Sequence, residues 1–154
     1  MGFAKLSLKG RALKYLSARE HSRAELERKL AAHEEEAGQI QAVLDELEAK
    51  GLLSQARFVE SVIHRKAERF GTARIRQELQ GHGLDGEMVA DALGRLRASE
   101  FERAAAVWQR KFGPEAASDV AERAKQMRFL AARGFSAEVV RRVVRAETHE
   151  AGED

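Results

Sequence analysis

A periodicity of about fifty residues in the apolar positions constrains this chain more than any other feature. Leu26, Leu30, Ile40, Val43 and Leu44 return 49 residues later as Ile75, Leu79, Val89, Ala92 and Leu93. A further step of 51 gives Gln126, Leu130, Val140, Val143 and Val144, where Gln126 is the one polar member. In each copy, ten residues separate the second position from the third. The turns between them correspond in part: Gly83-Leu84-Asp85 aligns with Gly134-Phe135-Ser136, whereas the first copy has Glu34-Glu35-Glu36. Repeats of this length are supersecondary units that bury a face by stacking on their neighbours. We expect modules at 1–54, 55–98 and 99–146, followed by an acidic tail at 147–154.

The spacing within each copy is helical. Apolar residues recur at three and four, as in Ile40/Val43/Leu44/Leu47 and Val139/Val140/Val143/Val144. Strand formers are scarce, with two Thr and three Ile, whereas Ala alone supplies 27 residues. That leaves 40 larger apolar side chains, enough for thin helical cores. Ser22 with Glu25 forms a capping box, Gly51 and Gly71 follow periodic runs, and Pro114 opens a helix after Gly113. Helices are predicted near 8–18, 22–33, 37–50, 55–70, 72–80, 85–98, 100–112, 115–132 and 136–147. The fold class is all-α, three tandem three-helix repeats forming an elongated array.

Several function classes drop out. With no Cys there is no thiol catalysis and no Cys-ligated zinc, which fits a reducing compartment. No run of 18 apolar residues exists, and the first residues lack the apolar core of a signal peptide, so the chain reads as soluble and cytoplasmic. Gly81-His82-Gly83-Leu84-Asp85-Gly86 matches the dinucleotide-binding pattern in letters only. That motif needs a strand before it, and the preceding Thr72–Leu79 is helical by spacing. The five His residues lack metal-site spacing and read as surface residues. We therefore expect no enzyme, no catalytic residue, no metal and no cofactor.

Helix spacing over residues 22–53 is similar to the helical half of a winged-helix DNA-binding domain. Its would-be recognition helix, Gln39 to Lys50, carries Asp45, Glu46 and Glu48 against one Lys and would repel phosphates. Arg57 to Phe70 also reads as helix where the wing should stand. Sequence-specific DNA binding is the weaker alternative, and a helical protein–protein adaptor is a third reading.

Charge is unevenly distributed. Residues 1–54 carry nine basic and nine acidic side chains, and residues 55–146 carry 18 and 12, while residues 147–154 hold four acids and no Lys or Arg. On the closing helix, a buried valine stripe would force Arg141, Arg142 and Arg145 into solvent together. With Arg110, Lys111, Arg128 and Arg133 of the same module, they are the candidate contacts for phosphate, as in nucleic acid, or for an acidic protein surface.

Four motifs carry a family resemblance. Ala12-Leu13-x-Tyr15-Leu16-x-x-Arg19-Glu20-His21-Ser22-x-x-Glu25-Leu26-x-x-Lys29-Leu30 resembles the opening of the RecX recombination regulators. Gly51-Leu52-Leu53-Ser54-x-x-Arg57-Phe58 resembles their first junction, with Gln55 where an acid is usual. Phe70-Gly71-x-x-Arg74-Ile75-x-x-Glu78-Leu79-x-x-x-Gly83-Leu84 resembles the second module, and Arg128-Phe129-Leu130-x-x-Arg133-Gly134-Phe135-Ser136 the third. The resemblance implies a non-enzymatic protein of DNA recombination and repair, and we expect a monomer. Such proteins lie in the helical groove of a RecA-type recombinase filament on single-stranded DNA and modulate, generally inhibiting, its ATPase and strand exchange. The resemblance assigns no binding residues, and no membrane is involved.

Overall fold

The computed structural model describes residues 5–113 and 117–150, with the side chains of the last helix described as far as Arg145. Among the described residues there are nine α-helices and no strand. They are α1 (Leu8–Ala18), α2 (Arg23–Leu30), α3 (Gln39–Ala49), α4 (Gln55–Lys66), α5 (Thr72–Leu79), α6 (Gly86–Ala98), α7 (Glu100–Phe112), α8 (Val120–Ala132) and α9 (Ala137–Glu150). A 3-10 turn, Ala31–His33, follows α2. In chain order the nine helices make three sets of three.

The departures from expectation are local. The helix expected over 55–70 stops at Lys66, and residues 67–70 turn. The helix start expected at Pro114 lies outside the described residues, but 117–119 are not helical. α8 begins instead at Val120, where the Asp119 carboxylate accepts the Glu122 N–H at 2.8 Å. The expected tail shares its first residues with α9, whose backbone continues to Glu150, and residues 151–154 lie outside the description.

The chain divides into two compact units. One runs up to Ser61 and includes Gln80–Met88; the other comprises Val62–Leu79 and the residues from Val89 onward. In the first, Ala12, Leu26, Leu30, Ile40, Leu44, Leu47 and Leu53 form a closed core among α1, α2 and α3. The capping box forms as expected: Ser22 Oγ accepts the Glu25 N–H, and Glu25 accepts the Ser22 N–H. Burial pushes the Glu25 carboxyl up, but the Arg19 guanidinium at 2.7 Å and the Ser22 N–H outweigh it and hold the group at about 2. The acids of α3 are paired inside the unit. Arg23 bonds Asp45 and Glu48, and Lys9 and Lys50 flank Glu46. Gly81 and Gly83 take left-handed backbone and turn the chain toward α6, so this glycine-rich segment is punctuation, as its helical approach implied.

In the second unit Ala104, Val107, Trp108, Leu130, Phe135, Val140, Val143 and Val144 pack together among α7, α8 and α9. The one polar member of the repeat has a partner. Gln126 is buried, and its Oε1 accepts the indole N–H of Trp108 at 2.9 Å. A leucine there would leave that buried donor unsatisfied. The aligned turns also match in detail. Gly83 and Gly134 both have positive φ, at 62° and 90°. Asp85 then accepts the Met88 N–H at 3.0 Å, and Ser136 accepts the Val139 N–H at 3.2 Å.

Leu30, Leu79 and Leu130 are 0%, 3% and 0% exposed at equivalent repeat positions. Truncation of each to Ala should therefore cost about 2–5 kcal/mol, read as a lowered melting midpoint by circular dichroism. Three unchanged melts would contradict the repeat alignment. Glu25 gives a second expectation. Its folded value lies below the ordinary 4.5, so its contribution is complete above 4.5 and is lost as pH falls toward about 2. Glu25→Gln should lower stability at neutral pH and flatten the acid limb across that window in melts taken from pH 7 to 2.

Candidate functional site

The second unit is organised around a backbone contact. The Gly71 N–H donates to the Arg133 carbonyl at 2.8 Å, which brings the start of α5 against the turn between α8 and α9. A Cβ on Gly71 would collide with the Gly134 carbonyl and the Phe135 nitrogen, and one on Gly134 would lie 2.6 Å from Arg74 Cβ. The sequence reading of Gly71 as a helix stop thus needs correcting: close approach, not left-handed backbone, demands the glycine.

Beneath this joint, Arg103 of α7 gathers the loose ends of three helices. Its guanidinium donates to the carbonyls of Ala67 (3.0 Å), Phe70 (2.6 Å) and Leu96 (2.9 Å), and to the hydroxyls of Ser99 and Thr72. One turn earlier, the buried Glu100 carboxylate accepts the Thr72 N–H at 3.0 Å. Burial pushes the Arg103 pKa down and Glu100 opposes that. Carbonyls left over at the ends of α4 and α6 are satisfied by a side chain that always carries donors.

This scaffold presents two half-buried rings ringed by cations. Around Phe70 lie Arg74 at 4.4 Å from the ring centre, Lys66 at 5.4 Å, Arg69 at 5.5 Å and Arg133 at 5.6 Å. Arg133 also lies 5.0 Å from Phe129, with Lys111 at 5.5 Å. Phe112 meets Phe129 edge-on at 5.3 Å. Among the described residues none of these five cations has a carboxylate within ion-pair distance. A ring face holds a cation in place while leaving its charge uncancelled. The result is a positively charged surface suited to phosphate or to acidic side chains.

The sequence-nominated residues fall into separate places. Lys111 and Arg133 share Phe129. Arg110 is exposed, and its guanidinium donates to the Glu68 carbonyl at 2.5 Å. Arg128 is exposed on α8. On α9, Val140, Val143 and Val144 are buried while Arg141, Arg142 and Arg145 are exposed, as helical geometry required. Arg142 caps the Phe101 ring at 4.6 Å. Phe101 and Phe112 occupy opposite ends of α7, about 16 Å apart at the helical rise, so the α9 arginines and the Lys111–Arg133 pair are distinct groups.

Sequence reasoning missed Lys66, Arg69, Arg74 and Arg103. A signal existed for Arg74, which follows Phe70-Gly71 by one turn; nothing local marked Arg103. The reading of all five His as surface residues also fails at His21, which is 1% exposed. Among the described residues no three metal-type side chains converge, and no helix is long and apolar enough to cross a membrane. The arrangement is one for binding by charge and ring contacts.

Known proteins agree with this architecture. The three domains described for RecX match in order: the first three-helix domain over residues 9–47, the second over 54–93 and the third over 98–144. Regulatory protein RecX of Leptothrix cholodnii is 59% identical over 149 residues, covering 97% of this chain and 94% of its own length. Its counterpart in Ralstonia nicotianae is 57% identical over 139 residues, covering 90% and 87%. Among solved structures, RecX from Lactobacillus salivarius shares the fold with a TM-score of 0.74 at 20% identity, covering 91% of this chain and 94% of that one. A second crystal structure, of regulatory protein RecX, gives 0.70 at 21% identity, covering 88% and 70%. Three tandem three-helix domains and relatives of this identity lead to one conclusion: the chain belongs to the RecX family of regulatory proteins.

Proposed function

We propose that this protein regulates homologous recombination and DNA repair by binding a RecA-type recombinase filament on single-stranded DNA. It occupies the helical groove of the filament and restrains ATP hydrolysis and strand exchange, with no catalysis of its own. It acts as a cytoplasmic monomer through the three modules at 1–54, 55–98 and 99–146. Membership in the family supports this reading. The observation that carries it in this chain is the set of unpaired cations seated on Phe70 and Phe129, a surface matched to a nucleoprotein. Three tethered modules need only weak individual contacts, because each bound module raises the effective concentration of the next. Groove occupancy then excludes the second DNA strand by volume alone.

The winged-helix reading loses support because the would-be recognition helix α3 carries three acids, themselves ion-paired within the unit, and the helix α4 follows it in the chain where a wing would stand. An adaptor that meets protein alone is separated by salt, since contacts to phosphate weaken steeply with ionic strength and apolar interfaces do not.

Binding of the full chain to recombinase–single-strand filaments, compared with recombinase alone, tests the proposal. Replacing Arg141, Arg142 and Arg145 with Glu should leave the melt unchanged, weaken filament binding about tenfold and flatten its salt slope. Arg74→Ala with Lys111→Ala should weaken it in the same direction. Parental affinity in both variants would remove these surfaces from the contact.

A further inference from the structure

The N-terminal unit contains a cleft that the filament reading leaves unused. It has a volume of about 410 Å³, and its charged lining is Arg11, Lys14, Arg19 and Lys29, beside Tyr15 and His21. That volume falls in the range of about 300–1,000 Å³ typical of small-ligand sites. No carboxylate lines it. A larger cleft of about 730 Å³ in the same unit shares Arg11 and is lined by Lys5 and Lys9 together with Glu34 and Glu35, so its charge is mixed.

Two observations show how the charge is held. His21 Nδ1 lies 3.0 Å from the Arg19 carbonyl, and Lys29 Nζ lies 2.9 Å from His21 Nε2. A carbonyl only accepts and an ammonium only donates, so the ring carries its hydrogen on Nδ1 and offers a bare Nε2 to the lysine. Burial, which pushes the His21 pKa down, favours the same neutral ring. The Lys29 ammonium also stands 4.7 Å above the Tyr15 ring. Both neighbours of Lys29 are uncharged, so its position is fixed while its charge is left uncancelled. Arg11 and Lys14 have no ion pair among the described residues, and Arg19 is paired with Glu25, which is not part of the lining.

We propose that this cleft is a phosphate-binding site, with Arg11, Lys14 and Lys29 as the principal contacts and Arg19 at its edge. A carboxylate offers two acceptor oxygens and a phosphate monoester three, so phosphate uses converging donors from several cations more fully. Arg11 supplies a planar fork, whereas Lys14 and Lys29 supply point charges that tolerate either a monoester or a diester. The phosphate comes either from a nucleic-acid strand or from a free nucleotide or phosphate ion. The site stands apart from the filament reading, because it requires no recombinase.

Titration of the full, nitrogen-15-labelled chain, without recombinase, tests it. The probes are inorganic phosphate, ATP and an oligothymidylate of about fifteen nucleotides, the upper end of a single-strand site. Amide shifts should appear across residues 11–29. Lys29→Met and Lys14→Ala should each weaken the binding that produces them about fivefold. Lys14 is exposed, so its variant carries the test if Lys29→Met disturbs the fold. Should the oligonucleotide bind far more tightly than ATP, with a salt slope about 0.7 shallower per lost cation, the source is a strand. Should ATP and phosphate shift these residues and the oligonucleotide not, the source is free phosphate. Absence of shifts in 11–29 with all three probes, or parental affinity in both variants, overturns the site.

Discussion

The second unit depends on two glycines whose backbones meet. Gly71 and Gly134 approach so closely that neither tolerates a Cβ, and the Gly71 N–H fastens to the Arg133 carbonyl. That contact joins the two ends of the ring-and-cation surface. It places Phe70 and Arg74 beside Arg133, and Arg133 reaches Phe129. Beside it, the ends of α4 and α6 leave carbonyls without helical partners, and Arg103 supplies donors to them.

The same contact bears on how independent the modules are. Repeat architectures are commonly treated as sums of intrinsic stabilities plus neighbour terms. Here the proposed boundary after residue 98 is spanned by Glu100 and Arg103, whose side chains bond Thr72, Ala67, Phe70 and Leu96. These are charge-assisted bonds, buried at Glu100 and part-buried at Arg103, so a cut at that boundary removes donors and leaves acceptors unsatisfied. The neighbour term between these two sets of helices is thus large and polar as well as apolar.

Much of the fold was readable because it rests on periodicity. The step of 49 and 51 residues found buried positions everywhere except Val43 and Val89, which are half-buried, and the Gly-x-Asp/Ser turns at 83–85 and 134–136 formed with the same cap geometry. Helix ends were less readable where tertiary contacts set them. Residues 67–70 leave the helix as their carbonyls are taken by Arg103, which no local pattern announces. The candidate surface was half readable. Spacing on α9 correctly put Arg141, Arg142 and Arg145 outside the valine stripe. It was silent on Lys66, Arg69 and Arg74, which lie within four residues of Phe70 but are gathered by the turn at 67–70 rather than by one helix face; only Arg133 arrives through the long-range backbone meeting. His21 was missed as well: its ring is buried with both nitrogens partnered, by the Arg19 carbonyl and by Lys29, and no spacing rule announces that.

The chain has one Trp and one Tyr, and they fall in different units. Trp108 is 1% exposed with its indole N–H on Gln126, so its emission reports the packing of α7 against α8. Tyr15 lies under the Lys29 ammonium at the cationic cleft, where a displaced lysine would alter the ring's surroundings. The two natural chromophores therefore divide the molecule optically. Excited beyond the tyrosine absorption band, Trp108 alone reports the unfolding of the second unit, without a label.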